Sequence, residues 1–141
     1  MQRAIQYCGI LKLRKYNGGK WTEARFNSFI KSILRSGSRR WEPKYTTLNE
    51  SCTGVKTNIK TGRQAKHFRC NKCLKEFPAK DVQVDHIEPI INPSLGFTNW
   101  TDVIENMYCE KEKLQVLCTE CHKMKTATEK GIATERKRNA K

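Results

Sequence analysis

LCTECHKMK (residues 117–125) puts two cysteines in C-x-x-C spacing, with a histidine directly after the second. The same spacing occurs upstream in FRCNKC (68–73). A two-residue turn between cysteines aims both sulfurs at one ion, so Cys70, Cys73, Cys118 and Cys121 supply four thiolates for one tetrahedral zinc. Such a shell leaves no open coordination position, and the ion it holds is structural. The 44 residues between the pairs must loop out and return. A knuckle, then a hairpin, then a helix carrying the second pair makes a treble-clef arrangement.

The rest of the composition agrees with a stapled domain. Only 37% of the 141 residues are hydrophobic and 30% are charged, which leaves little core. Seven cysteines are an odd number for a closed disulfide framework. The N-terminal stretch MQRAIQYCGILKLRKYNGG lacks a long apolar run, so no signal peptide and no membrane association are read, and the expected location is cytoplasmic. Cys8, Cys52 and Cys109 fall outside the paired spacing and are read as small apolar core residues.

The net charge of +14 is unevenly spread. Residues 1–66 carry +12 and residues 123–141 carry +5, whereas residues 81–122 carry −6. Basic arms attract phosphate backbones and release counterions on binding. An acidic centre between them suits a cation.

The segments outside the cysteines read as α+β. In WTEARFNSFIKSILRSGSRRW (21–41), Thr22 caps a helix whose apolar stripe is Phe26, Phe29, Ile30, Ile33 and Leu34, with Gly37 as its end. Pro43 opens a second short helix, and residues 53–67 read as a flexible or hairpin-like connection. DVQVDHI (81–87) alternates as a strand, with Val82, Val84 and His86 on one face and Asp85 on the other. Thr101 is read as the cap of a helix in WTDVIENMY, KLQVLC as a second strand, and TECHKMKTATEK as a basic helix ending at Gly131 with a frayed tail beyond. His67 is read as a surface residue. The resulting domain scheme is a basic helical extension over 1–66, a metal-stapled core over 67–131 and a basic tail over 132–141.

Asp85 and His86 lie adjacent in VDHIEPI (84–90), and a buried acid–imidazole pair is costly unless it binds something. If Cys121 faces the zinc from the first turn of a helix, His122 is rotated about 100° away, back towards that strand. Asp85 and His122 can then hold one divalent cation that polarises a phosphoryl oxygen, and His86 can take a proton from the attacking water.

VDHIEPI followed by LQVLCTECHKMKT resembles the HNH endonucleases, in particular small phage-type members with two C-x-x-C knuckles and a ββα-metal core. The resemblance covers roughly residues 68–126, and the arrangement of Trp21 to Arg40 is also similar to what such phage proteins carry. It implies a DNA phosphodiester hydrolase that nicks or cuts double-stranded DNA, with structural Zn²⁺ and a catalytic Mg²⁺ or Mn²⁺. It implies that Asp85 and His122 bind the catalytic metal and that His86 is the general base. It further implies a host-cell location and a role in homing or in support of genome packaging, with docking to a packaging or replication enzyme and homodimerisation as partner expectations. Where the family carries an asparagine before the second strand, this chain has Lys113; Asn92, Asn99, Asn106 or the backbone are the replacements considered for orienting the base. Lys123, Lys125, Arg69, Lys72, Arg39 and Arg40 are the expected DNA contacts. The alternative is a zinc-stapled DNA-binding module without catalysis.

Overall fold

The computed structural model describes residues 6–7, 10–11 and 14–141. The chain divides into two compact units at Arg39/Arg40. This lies well ahead of the 66/67 boundary drawn from charge, because residues 40–66 fold with the cysteine-bearing unit. Cys8 lies outside the described residues.

The first unit contains a short pair β1 (Gln6–Tyr7) and β2 (Ile10–Leu11), a second pair β3 (Arg14–Tyr16) and β4 (Trp21–Thr22), and helix α1 (Glu23–Ser38). The β3–β4 turn is built from Asn17, Gly18 and Gly19, all with positive φ, a conformation glycine adopts without a Cβ penalty. Thr22 Oγ1 accepts from the Arg25 amide at 3.3 Å, the expected cap. The apolar stripe of α1 packs on the hairpin: Tyr16 stacks on Phe26 at 4.1 Å and Trp21 meets Phe29 edge-on at 5.3 Å. Gly37 does not end α1, which runs on to Ser38.

The second unit opens with α2 (Glu42–Glu50), which has Pro43 in its first turn, where a missing amide costs nothing. Strands β5 (Cys52–Thr57), β6 (Gln64–Arg69) and β7 (Glu76–Pro78) form an antiparallel meander. The segment read as flexible or hairpin-like is thus a hairpin. Next come β8 (Val82–His86), α3 (Trp100–Met107), β9 (Leu114–Cys118) and α4 (Thr119–Asn139). Strands β8 and β9 pair antiparallel in register from Val82↔Cys118 to His86↔Leu114. The chain is therefore a mixed α+β protein with four α-helices and small antiparallel sheets among the described residues. None of these helices is long and apolar enough to cross a membrane.

Two expectations at helix ends need correction. The cap of α3 is Asn99, whose Oδ1 accepts from the Asp102 amide at 2.8 Å; Thr101 lies inside the helix. Helix α4 passes through Gly131 and continues to Asn139, so residues 132–139 are helical rather than a frayed tail. The C-terminal half of α4 reaches the loop that follows β8: Gly96 is buried at φ +78°, and a Cβ there would collide with the Arg136 guanidinium.

The densest part of the second unit is built around sulfur. Cys70, Leu117, Cys118 and Cys121 form one buried cluster, with Cys73 and Phe77 packed against it. Val103, Met107, Leu114 and Val116 extend the core under α3 and β9. Trp41 ties α2 to the end of α3 by donating Nε1–H to the Cys109 carbonyl at 2.7 Å and by edge-on contact with Tyr108. Trp41→Phe keeps an aromatic ring, though a smaller one, and removes the donor. It is expected to lower urea-denaturation stability by about 1 kcal/mol, the usual net contribution of one such bond.

Candidate functional site

The first knuckle is the turn between β6 and β7. Cys70 N–H donates to Lys75 O at 2.9 Å, Leu74 N–H donates to Cys70 O at 2.9 Å, and Leu74 adopts φ +62° to close the turn. Asn71 N–H donates to Val116 O at 2.7 Å, which fixes this knuckle against β9. The second pair sits at the start of α4: Cys118 is the N-cap residue, and its sulfur accepts from Cys121 N–H at 3.5 Å. The four sulfurs lie within 4.8 Å of one another. A tetrahedron with bonds of about 2.3 Å has S···S edges of about 3.8 Å. Cys73 Sγ and Cys118 Sγ, 4.0 Å apart, already match that spacing and lie far outside the disulfide range of about 2.05 Å. The donor set and its geometry are consistent with a structural Zn²⁺ site. Burial raises the Cys70 thiol pKa, but backbone amides of Cys118, Cys73 and Lys72 outweigh it and bring the group down to about 6. The thiolate is the form that binds metal. Burial and the neighbouring thiols push Cys121 the other way.

Cys109 is buried away from this cluster, as a small apolar core residue would be, whereas Cys52 is only half-buried and lies outside the buried core; neither is in a disulfide.

On the other face of the same helix start, His122 turns to β8. Its Nε2 lies 3.7 Å from Asp85 Oδ1. Two groups bound to a common ion at about 2.1 Å stand about 3.0 Å apart when cis and about 4.2 Å when trans. The observed 3.7 Å lies between those two values, with one hard carboxylate oxygen and one imidazole nitrogen facing each other across the gap. Gln115, cross-strand from Asp85, approaches its Oδ2 at 3.5 Å. Lys125, one turn on from His122, contacts the same oxygen at 3.0 Å and also pairs with Glu129. Burial works against the Lys125 ammonium, but its bonds to Glu129 and Asp85 prevail and raise its pKa.

His86 ends β8, and its ring is buried. Its Nε2 lies 3.0 Å from the Met107 carbonyl. A carbonyl can only accept, so Nε2 carries the proton and Nδ1 keeps the lone pair. Burial is the main cause lowering the His86 pKa; the Met107 carbonyl opposes it, and the Lys44 charge adds to it. A cavity of about 180 Å³ borders the ring, lined also by Asn106, Cys109, Glu112 and Lys113. Asn106 donates to Ile90 O at 3.1 Å and so braces the loop after β8. Asn92 and Asn99 are occupied in local turn and cap bonds.

The basic residues singled out in the sequence scatter more widely. Lys72 is exposed on the first knuckle, and Lys123 is exposed and 3.6 Å from Glu120. Arg69 is exposed and 3.9 Å from Glu76. Arg39 caps α1 and donates to Ser36 Oγ at 3.1 Å, while Arg40 is exposed at the start of the second unit. His67 is buried with Nδ1 2.9 Å from Ala65 O, so it is not the surface residue expected. Sequence reasoning missed Gln115, Glu129 and the Met107 carbonyl. The first two had a signal: Gln115 follows from antiparallel register, and Glu129 lies four residues after Lys125.

No protein-family model, curated protein or solved structure matches the chain.

Proposed function

We propose that this protein is a metal-dependent DNA endonuclease of HNH type that hydrolyses phosphodiester bonds from a zinc-stapled treble-clef core. The observation that carries the reading is the convergence of Asp85 and His122 to 3.7 Å, with His86 next along the strand and its ring held by a main-chain carbonyl. The order knuckle, β8–β9 hairpin, α4 supports the ββα-metal assignment.

Asp85 and His122 would hold Mg²⁺ or Mn²⁺, which supplies positive charge to the phosphoryl oxygens and the leaving oxyanion. His86 does the proton work. Its Nε2–H is fixed on Met107, so Nδ1 is the acceptor for a proton of the attacking water. The lowered pKa keeps that acceptor free at neutral pH. The orienting task assigned by the resemblance to an asparagine falls to the Met107 carbonyl, and bracing of the loop falls to Asn106. The Lys113 main chain shares in the bracing, because its carbonyl accepts from Ile87 N–H at 2.9 Å, whereas no task falls to its side chain. Lys72 and Lys123 supply phosphate contacts that give affinity without sequence reading. Double-stranded DNA is the partner this assigns; homing and packaging support are the roles that follow from the resemblance.

The binding-only reading draws on one observation, the neutralisation of Asp85 by Lys125. A plasmid assay separates the two. Wild-type protein is expected to nick supercoiled DNA with Mg²⁺ or Mn²⁺. Asp85→Asn is expected to lower the rate by at least about 100-fold, since a metal ligand's charge is lost, while binding of the same DNA in a gel-shift assay changes little. Wild-type protein that binds the plasmid but never cuts it with any divalent ion would establish the binding module instead.

A further inference from the structure

The acid–imidazole site already contains a cation. Lys125 Nζ stands 3.0 Å from Asp85 Oδ2, and the two side chains are only 20% and 15% exposed, so water screens the pair poorly. A phosphate-binding lysine reaches outward; this one is turned inward and shared between Asp85 and Glu129. Gln115 approaches the same Asp85 oxygen, whereas His122 approaches the other. The carboxylate is thus divided: one oxygen faces the imidazole and the second is held by the ammonium.

We infer that Lys125 is the resident counter-ion of Asp85 and sets how tightly the site takes a divalent ion. This rests on the reading of Asp85 and His122 as its ligands. Without the ion, Lys125 keeps a poorly solvated carboxylate neutralised and in place. When the ion arrives, Lys125 must yield part of its hold on Asp85, and two positive charges a few ångströms apart repel. Glu129 makes that retreat inexpensive. It lies one turn further along α4 and is already in contact, so Lys125 keeps a carboxylate partner without leaving the helix face. Lys125 therefore tunes the affinity downward, and Glu129 offsets part of that effect, without unmaking the site.

The test is Mn²⁺ binding to the zinc-loaded, DNA-free full chain, followed by electron paramagnetic resonance, with zinc content and circular dichroism as checks of folding. Lys125→Met keeps the aliphatic stem and removes the charge; it is expected to tighten Mn²⁺ binding about tenfold. Lys125→Arg keeps the charge and is expected to stay within about twofold of wild type. Glu129→Gln removes the alternative partner and is expected to weaken binding about threefold. A purely structural role for Lys125 would make the methionine variant bind worse, not better. Mn²⁺ binding by wild type that Asp85→Asn abolishes, but that Lys125→Met leaves equal or weaker in folded protein, overturns the inference alone. Absence of any Mn²⁺ binding that depends on Asp85 overturns the ligand reading beneath it as well.

Discussion

Cys118→Ser protein is expected to be expressed without its metal and to lack a cooperative unfolding transition in the Arg40–Lys141 unit. The reason lies in what surrounds the sulfur. Cys118 closes β9, caps α4 and belongs to the buried cluster that Cys70, Leu117 and Cys121 complete. A structural zinc contributes on the order of 10–16 kcal/mol of apparent binding free energy, against roughly 5–15 kcal/mol for the stability of a typical domain. The apolar residues that remain, chiefly Val103, Met107, Leu114 and Val116, are too few to compensate. Metal analysis of the wild type should give about one tightly held zinc per chain. Thermal unfolding followed by circular dichroism checks the variant; a metal-free protein with an unchanged melting curve would overturn the account of the core.

The second large effect is on chemistry rather than folding. His86→Ala is expected to lower plasmid nicking by about 10²–10⁴-fold, the range supplied by a positioned general base. DNA affinity should stay within about twofold, because the ring is buried and its one hydrogen bond goes to the Met107 carbonyl. Zinc content should be unchanged, since the cysteine cluster lies on the opposite end of β8's partner strand: Cys118 pairs with Val82, while His86 pairs with Leu114. The pH profile gives an independent check. Burial lowers the His86 pKa, so the neutral, proton-accepting form persists below the ordinary value of about 6.5, and the acid limb of the rate profile should lie below that pH. Residual nicking within tenfold of wild type would remove His86 from the proton step.

Much of this was readable before any coordinates. The C-x-x-C pairs announced their cluster because the spacing alone aims two sulfurs one way. The alternation in residues 82–86 and the stripe on α1 gave β8 and α1 within a few residues of their ends. What escaped notice depended on local backbone conformation or on partners distant in sequence. Asn99 and Thr101 both offer a capping oxygen, and only the backbone at Asn99, extended at φ −156°, decides between them. Gly131 costs roughly 1 kcal/mol inside a helix and was a reasonable stop; Arg136 meeting Gly96 gives the extra turns something to pack on. Lys125 looked like a phosphate clamp because nothing local names Asp85, forty residues earlier, as its neighbour. That pairing exists only once the β8–β9 register has set Asp85 opposite Gln115 and α4 has turned Lys125 onto the same oxygen.

Cys121 and His122 are consecutive on the opening turn of α4, one facing the sulfur cluster and the other facing Asp85. The two sites are therefore wired in series. On the proposed reading, zinc in the thiolate-lined site would anchor the helix that presents the imidazole to Asp85. If the protein is the nuclease proposed above, zinc scarcity is expected to silence cutting as a step, at any magnesium concentration. A thiol oxidant would have the same consequence without touching the carboxylate or either imidazole.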